Sequence, residues 1–466
     1  MIKRTLNLAD GFRKRLGMDR AIAYVFAARV CMVLGSTGTV LLIVHFLSKV
    51  DQGYYYTLIS LVNLQIIFEL GFSFVVLQLA AHEAVHLQFR PDGRIEGDPH
   101  RRARLVAILQ KTARWYFLAG AIMAVTLLPA GIAFFRRTTQ PHDAVWLGPW
   151  TIAALATVLL FVLNPLCSFI EGCGQVRQVA GMRFSQAVLG VAASWGAIVL
   201  GKGLYAPGLV VGGNVVAVLV FLGGRRKLLL YLFREKYEPS SLNWRSEVWS
   251  FQWRIAITWL CSYFTVQVLT PVLFASRGPV EAGRLGMSLS ISAYTWNLVY
   301  AWMSTKATPF GQLIAKKDYV ALDHLFFHTL RLSLGILCVI VTLCMAGLIA
   351  IQHLFPNLAS RMVSPQLFVL LLITAVSTLV VQSEAIYLRA HKEEPLLWQA
   401  VIVAVLTSAG AYFAAPRWGI SGTCIVYFLC TGIIGVTSAT LIFRAKRRSR
   451  EQRTSPAVRV AVEIAS

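Results

Sequence analysis

GLVVGGNVVAVLVFLGGRRKLLLYLFREKYEPSSLNWRSEV, residues 208–248, decides how this chain is organised. It opens as an uncharged apolar run and stops at Gly223-Gly224. It then turns through Arg225-Arg226-Lys227 into a Leu/Tyr/Phe patch, and dissolves at Glu238-Pro239-Ser240-Ser241. The run reads as the end of a membrane-crossing helix, and the basic turn as its inner flank. The patch reads as a helix lying on the membrane surface. Six long apolar segments precede this passage, near 21–47, 54–81, 113–135, 148–170, 183–201 and 207–223. Six follow it, near 249–275, 283–309, 329–354, 365–390, 396–415 and 420–443. At 1.5 Å per residue each approaches the roughly 20 residues that a hydrocarbon core demands.

Charge gives these segments a direction. Of 44 Lys and Arg, 33 fall in, or within three residues of, the N-terminus, the even-numbered gaps and the C-terminal tail, and three (Arg29, Arg254 and Lys306) lie deeper inside segments. Only Lys49, Arg136, Arg137, Lys202, Arg277, Arg284, Arg361 and Arg417 occupy the odd-numbered gaps. Basic residues beside spans stay cytoplasmic, so both termini are expected on the cytoplasmic side of a bacterial inner membrane. The first segment is too long for a signal-peptide core and reads as an uncleaved anchor. Labelling single cysteines placed at Lys202 and Arg417 from outside should succeed at both; cytoplasmic labelling at either would end this topology. The expected fold is an all-α polytopic membrane protein of about 12 transmembrane helices in two six-helix bundles. Residues 1–223 form the first, 224–248 a cytoplasmic linker, 249–443 the second and 444–466 a basic cytoplasmic tail, disordered after Arg450.

Composition excludes several classes. Hydrophobic content is 57% and charged content only 14%, so the net charge of +23 lies in membrane-flanking loops and not on a nucleic-acid-binding face. Seven of the eight cysteines lie within spans and no C-x-x-C occurs, which describes packing residues and neither a disulfide framework nor a metal site. No phosphate-binding glycine loop is present, so ATP is not the direct energy source and no cofactor is expected.

Certain phrases resemble a known family. Gln52-Gly53-Tyr54-Tyr55-Tyr56, Phe68-Glu69-Leu70-Gly71-Phe72, Trp249 through Arg254, and Gly311-Gln312-Leu313-Ile314-Ala315 are similar to polysaccharide-biosynthesis flippases of the Wzx type. Their superfamily also holds lipid II flippases and multidrug and toxin extruders (MATE). The resemblance implies a MATE-like fold and outward transfer, by alternating access, of a polyprenyl-diphosphate-linked oligosaccharide. It also implies a polysaccharide polymerase and export machinery as partners, beside the membrane lipids.

Charge inside spans marks candidate sites, because a charged side chain at mid-bilayer costs about 2.5–3.5 kcal/mol on insertion scales. Arg29 and Arg254 are candidate substrate-binding cations, with Thr258, Cys261, Ser262 and Thr265 continuing one helical stripe from Arg254. Asn297 leads a second stripe with Ser290, Tyr300, Ser304 and Thr308. Glu69 and Glu384 are candidate coupling groups or members of structural ion pairs, Glu69 with Arg29. A cation-coupled exporter of small amphiphiles is the alternative function, and would draw on these two acids.

His82-Glu83-Ala84-Val85-His86 satisfies H-E-x-x-H, the spacing of a zinc metalloprotease. No matching third ligand is evident, and the motif sits where the second span emerges among basic residues, which suits a solvated helix end. The expectation is a transporter and not an enzyme.

Overall fold

The computed structural model describes residues 20–85, 87–89, 95–138, 146–235, 250–391 and 394–454. The chain divides into two compact units, Met1–Trp259 and Leu260–Ser466. Seven described helices are each long and apolar enough to cross a membrane, and a bent pair, Lys49–Glu69 with Phe72–Ala84, makes an eighth. Helices Arg20–Phe46, Val176–Val199 and Pro279–Ser304 have membrane length and carry more polar residues. The last long helix, Leu397–Ser449, is two spans, because its backbone turns at Gly419 (φ 57°, ψ −140°). Beyond that turn the chain runs back along itself: Gln399 donates to the Gly435 carbonyl at 3.0 Å, and the hydroxyls of Thr407 and Thr431 meet at 3.5 Å. Twelve helical segments thus stand where the apolar runs lie, and they are numbered as spans 1–12.

In the first unit, span 1 packs mainly on span 5, whereas span 2 packs on spans 3 (Pro99–Thr138) and 4 (Leu147–Gly172). Spans 2 and 4 approach closely at Gly172. A Cβ there would lie 2.5 Å from the Leu77 carbonyl oxygen and 2.8 Å from Ala80 Cβ, so only glycine fits without moving backbone. Gly172→Ala is expected to destabilise the protein by about 1–3 kcal/mol through overpacking, read as a lowered Tm in detergent.

Two acids hold the short turns between spans. Asp51, third residue of its helix, closes a capping box with Ser48. Glu281 occupies the corresponding place in span 8 (Pro279–Ser304), yet its carboxylate accepts from the Ile420 amide at 3.0 Å, at the start of span 12. Arg277 completes the joint by donating to the carbonyls of Ala415, Pro416 and Arg417, at 3.2, 2.8 and 2.9 Å. These are the free carbonyls that end span 11. In the second unit Asp323 accepts from the Tyr387 hydroxyl at 2.7 Å and from Arg447 at 2.8 Å, amid buried Phe310, Phe326 and Phe443.

Three expectations about element bounds change. Span 2 is not one continuous helix. Spans 3 and 9 begin earlier than their apolar cores, at Pro99 and Tyr319, because amphipathic turns, basic in span 3, extend them. Of the residues expected to be disordered, 451–454 continue span 12 as helix to Thr454, and residues 455–466 lie outside the described residues.

Candidate functional site

The break in span 2 is the most unusual local structure in the first unit. Lys49–Val62 is regular helix and almost wholly buried. A 3-10 turn, Asn63–Gln65, and one more helical turn, Ile66–Glu69, follow, and all of these residues are half-buried. Leu70 (φ 48°, ψ 25°) and Gly71 (φ 70°, ψ 13°) are then both left-handed, and the helix restarts at Phe72, bent by 45°. Glycine adopts that conformation freely. A leucine does so at a cost of about 1–2 kcal/mol, so packing must impose it.

Glu69 is the last residue before the break. It therefore places a carboxylate at a helix C-terminus, where the macrodipole is already negative. Its described partners are Ser73, through both its hydroxyl and its backbone amide, and Tyr116. The Tyr116 hydroxyl of span 3 donates to Glu69 Oε1 at 3.3 Å, and the Ser73 hydroxyl lies 3.2 Å from the Tyr116 oxygen. A hydroxyl–carboxylate contact normally closes to 2.5–2.7 Å, so this one is slack. Tyr116 itself is fixed between the rings of Phe72 and Phe161, at 5.7 and 4.9 Å. The result is a half-buried acid held by Ser73 and more loosely by Tyr116, at a discontinuity that frees backbone carbonyls. Interrupted helices of this kind serve transporters as sites for small cations or protons. Ser73 meets Glu69 directly from the far side of the break, four residues on.

Arg29 lies in span 1 and Arg254 at the start of span 7 (Ser250–Arg277), and the side chains of both fall outside the described residues. The expected Arg29–Glu69 pair therefore lies outside the described residues. Glu384 in span 10 (Pro365–Ala390) is buried, and Thr440 and Arg444 of span 12 face it. Its Oε2 is among the buried atoms without a hydrogen-bond partner.

The two polar stripes are turned largely inward on their own helices. Asn297 is exposed and its amide donates to the Ala293 carbonyl at 2.9 Å. Thr265 donates to Cys261, and Ser290 to Gly286, each at 2.8 Å. A π-helical stretch, Tyr263–Gln267, shifts the register of span 7, so the stripe from half-buried Thr258 to Thr265 does not keep simple helical spacing. Span 8 keeps its register as far as Ser304.

The H-E-x-x-H glutamate is otherwise engaged. Glu83 is buried and accepts from Arg101 and Arg104 of span 3, both at 3.0 Å, whereas His82 points outward. His86 lies outside the described residues, and no group of three metal-ligating side chains occurs among the described ones. Sequence reasoning missed Tyr116, Arg101 and Arg104 as site-forming residues. Tyr116 carries no local signal, but the Arg101–Arg104 pair, one turn apart beside an emerging acid, could have suggested a clamp.

No protein-family model matches the sequence, and no curated protein matches it either. Solved structures do. The chain is similar over 90% of its length, and 99% of the other's, to an inward-facing multidrug resistance MATE family transporter of the MOP superfamily, with 13% identity and a TM-score of 0.59. A MATE structure in the straight conformation matches 93% of this chain and 96% of its own, at 12% identity and a TM-score of 0.58. A MOP superfamily transporter from Pyrococcus furiosus, described as having a binding pocket of reverse polarity, matches over the same shares at 12% and 0.55. Identity this low speaks to fold alone, and on that point the matches agree: this chain is an all-α polytopic membrane protein with the twelve-helix, two-lobe fold of MATE transporters.

Proposed function

We propose that this protein is a MATE-like transporter that exports a small amphiphile in exchange for a cation, with Glu69 as the group that responds to the cation. The observation that carries this reading is the half-buried carboxylate at the broken end of the first half of span 2. A negative group at a negative helix end gains most from a proton or small cation, and a helix that is already interrupted can change its bend when the charge is cancelled. Glu384 is the second acid available for such coupling. Proteoliposomes loaded with an amphiphilic fluorescent cation provide the test: an imposed proton or sodium gradient should drive its movement, and dissipating the gradient should stop it. No movement under either gradient would remove the exchange reading.

A second reading is favoured by the Wzx-like phrases and by two cations within spans, Arg29 and Arg254. On this reading the substrate is a polyprenyl-diphosphate-linked oligosaccharide, moved from the cytoplasmic to the outer leaflet. Its two negative charges would draw about 4–5 kcal/mol from a potential near 100 mV. Arg254 would hold the diphosphate, with the span-7 hydroxyls that begin at Thr258 as a polar path and Arg29 and Asn297 as further candidate substrate contacts. A guanidinium grips phosphate oxygens bidentately and an ammonium does not. Arg254→Lys should therefore impair surface-polysaccharide export and Arg254→Ala nearly abolish it, with both variants at normal abundance in the membrane. Wild-type export from the alanine variant would leave Arg254 as an anchor that reaches towards the surface.

A further inference from the structure

The patch after span 6 folds as helix Arg226–Arg234, three residues beyond the end of that span at Gly223. Its Leu228, Leu229 and Leu232 are buried. Span 3 pins its far end. The Gln110 amide nitrogen donates to the carbonyls of Leu232 and Glu235 at 2.9 and 2.8 Å, filling places that a helix end leaves open. Arg102 meets the Glu235 carboxylate at 2.9 Å. The near end is pinned by Arg225, which donates to Gln175 at 2.7 Å and covers the Phe221 ring at 3.7 Å. The helix is thus held at the depth where the chain leaves the apolar core.

Its other side is mixed in a particular way. Arg226, Lys227 and Arg234 are exposed, and between them Leu230 and Phe233 are 51% and 43% exposed. Water would not favour the leucine and phenylalanine, and hydrocarbon would not favour three cations. The headgroup boundary of a bilayer accommodates both. Glu235, the nearest acid in sequence, turns its carboxylate to Arg102, so the outward charge is wholly positive along the helix.

We propose that helix Arg226–Arg234 is a binding surface for anionic phospholipid headgroups, with Leu230 and Phe233 inserted at the acyl boundary and Arg226, Lys227 and Arg234 on the phosphates. The full-length protein bearing Leu230→p-benzoylphenylalanine, in nanodiscs of phosphatidylcholine with about one-fifth phosphatidylglycerol, tests this by irradiation and mass spectrometry of the adducts. Phosphatidylglycerol adducts should exceed that lipid's mole fraction by roughly threefold or more. The enrichment should vanish in Arg226→Glu, Lys227→Glu, Arg234→Glu and persist in Arg226→Lys, Arg234→Lys, which keeps the charge and controls for folding. Lipid adducts in simple proportion to composition would overturn the charge recognition. An absence of lipid adducts, or crosslinks to protein instead, would overturn the surface assignment itself.

Discussion

Glu69→Gln is expected to slow cation-driven transport by about 5- to 150-fold, the range spanned by a coupling free energy of about 1–3 kcal/mol. Glutamine keeps the volume and can still accept from Tyr116 at 3.3 Å, so the fold and the abundance in the membrane should be unchanged. What disappears is the charge that a proton or cation would cancel. Tyr116→Phe should be milder, since it removes one long hydrogen bond worth about 0.5–1.5 kcal/mol and leaves the carboxylate in place. Flux in proteoliposomes under an imposed gradient is the readout. Wild-type flux from Glu69→Gln would sink the coupling role. The old pairing with Arg29 is tested alongside: Arg29→Ala with Glu69→Ala should be milder than either single change if the two charges are partners, and the losses should add if they are not.

The reach of sequence reasoning follows from the range of the physics. Apolar runs and flanking charge act locally, so the positions of twelve spans were legible, as was an amphipathic helix after span 6. The break in span 2 was half-legible: Gly71 permits a left-handed turn, but nothing local obliges Leu70 to adopt one. Tertiary partners were not legible at all. Asp51 and Glu281 hold the same position in their helices. Asp51 caps its own helix, while Glu281 bonds an amide 139 residues away. Tyr116 looks like any aromatic residue in a span until the fold brings Glu69 to its hydroxyl. The π-helical stretches at Tyr263–Gln267 and Phe428–Gly435 show the same limit, because a one-residue change of register leaves no compositional trace.

A motif can also be legible and misleading. The two carboxylate oxygens of Glu83 are divided between two arginines, Oε2 to Arg101 and Oε1 to Arg104, so this acid fastens the outer turn of span 2 to the start of span 3. Breaking a fully buried pair costs about 3–5 kcal/mol. Arg101 and Arg104 keep 32% and 22% of their side-chain surface, and water screens part of the loss, so about 2–3 kcal/mol is expected for Glu83→Ala. In a detergent-solubilised protein this should appear as a Tm lower by about 2–3 °C. Much of the penalty is the repulsion left between two cations one helical turn apart. Glu83→Ala combined with Arg101→Ala and Arg104→Ala should therefore be more stable than Glu83→Ala alone. His82→Ala should leave both stability and transport unchanged, since that ring is 72% exposed and only 3.6 Å from the carboxylate at its nearest. A catalytic zinc site would reverse the pattern: His82→Ala would abolish a cleavage activity, and Glu83→Ala would do so without lowering the Tm.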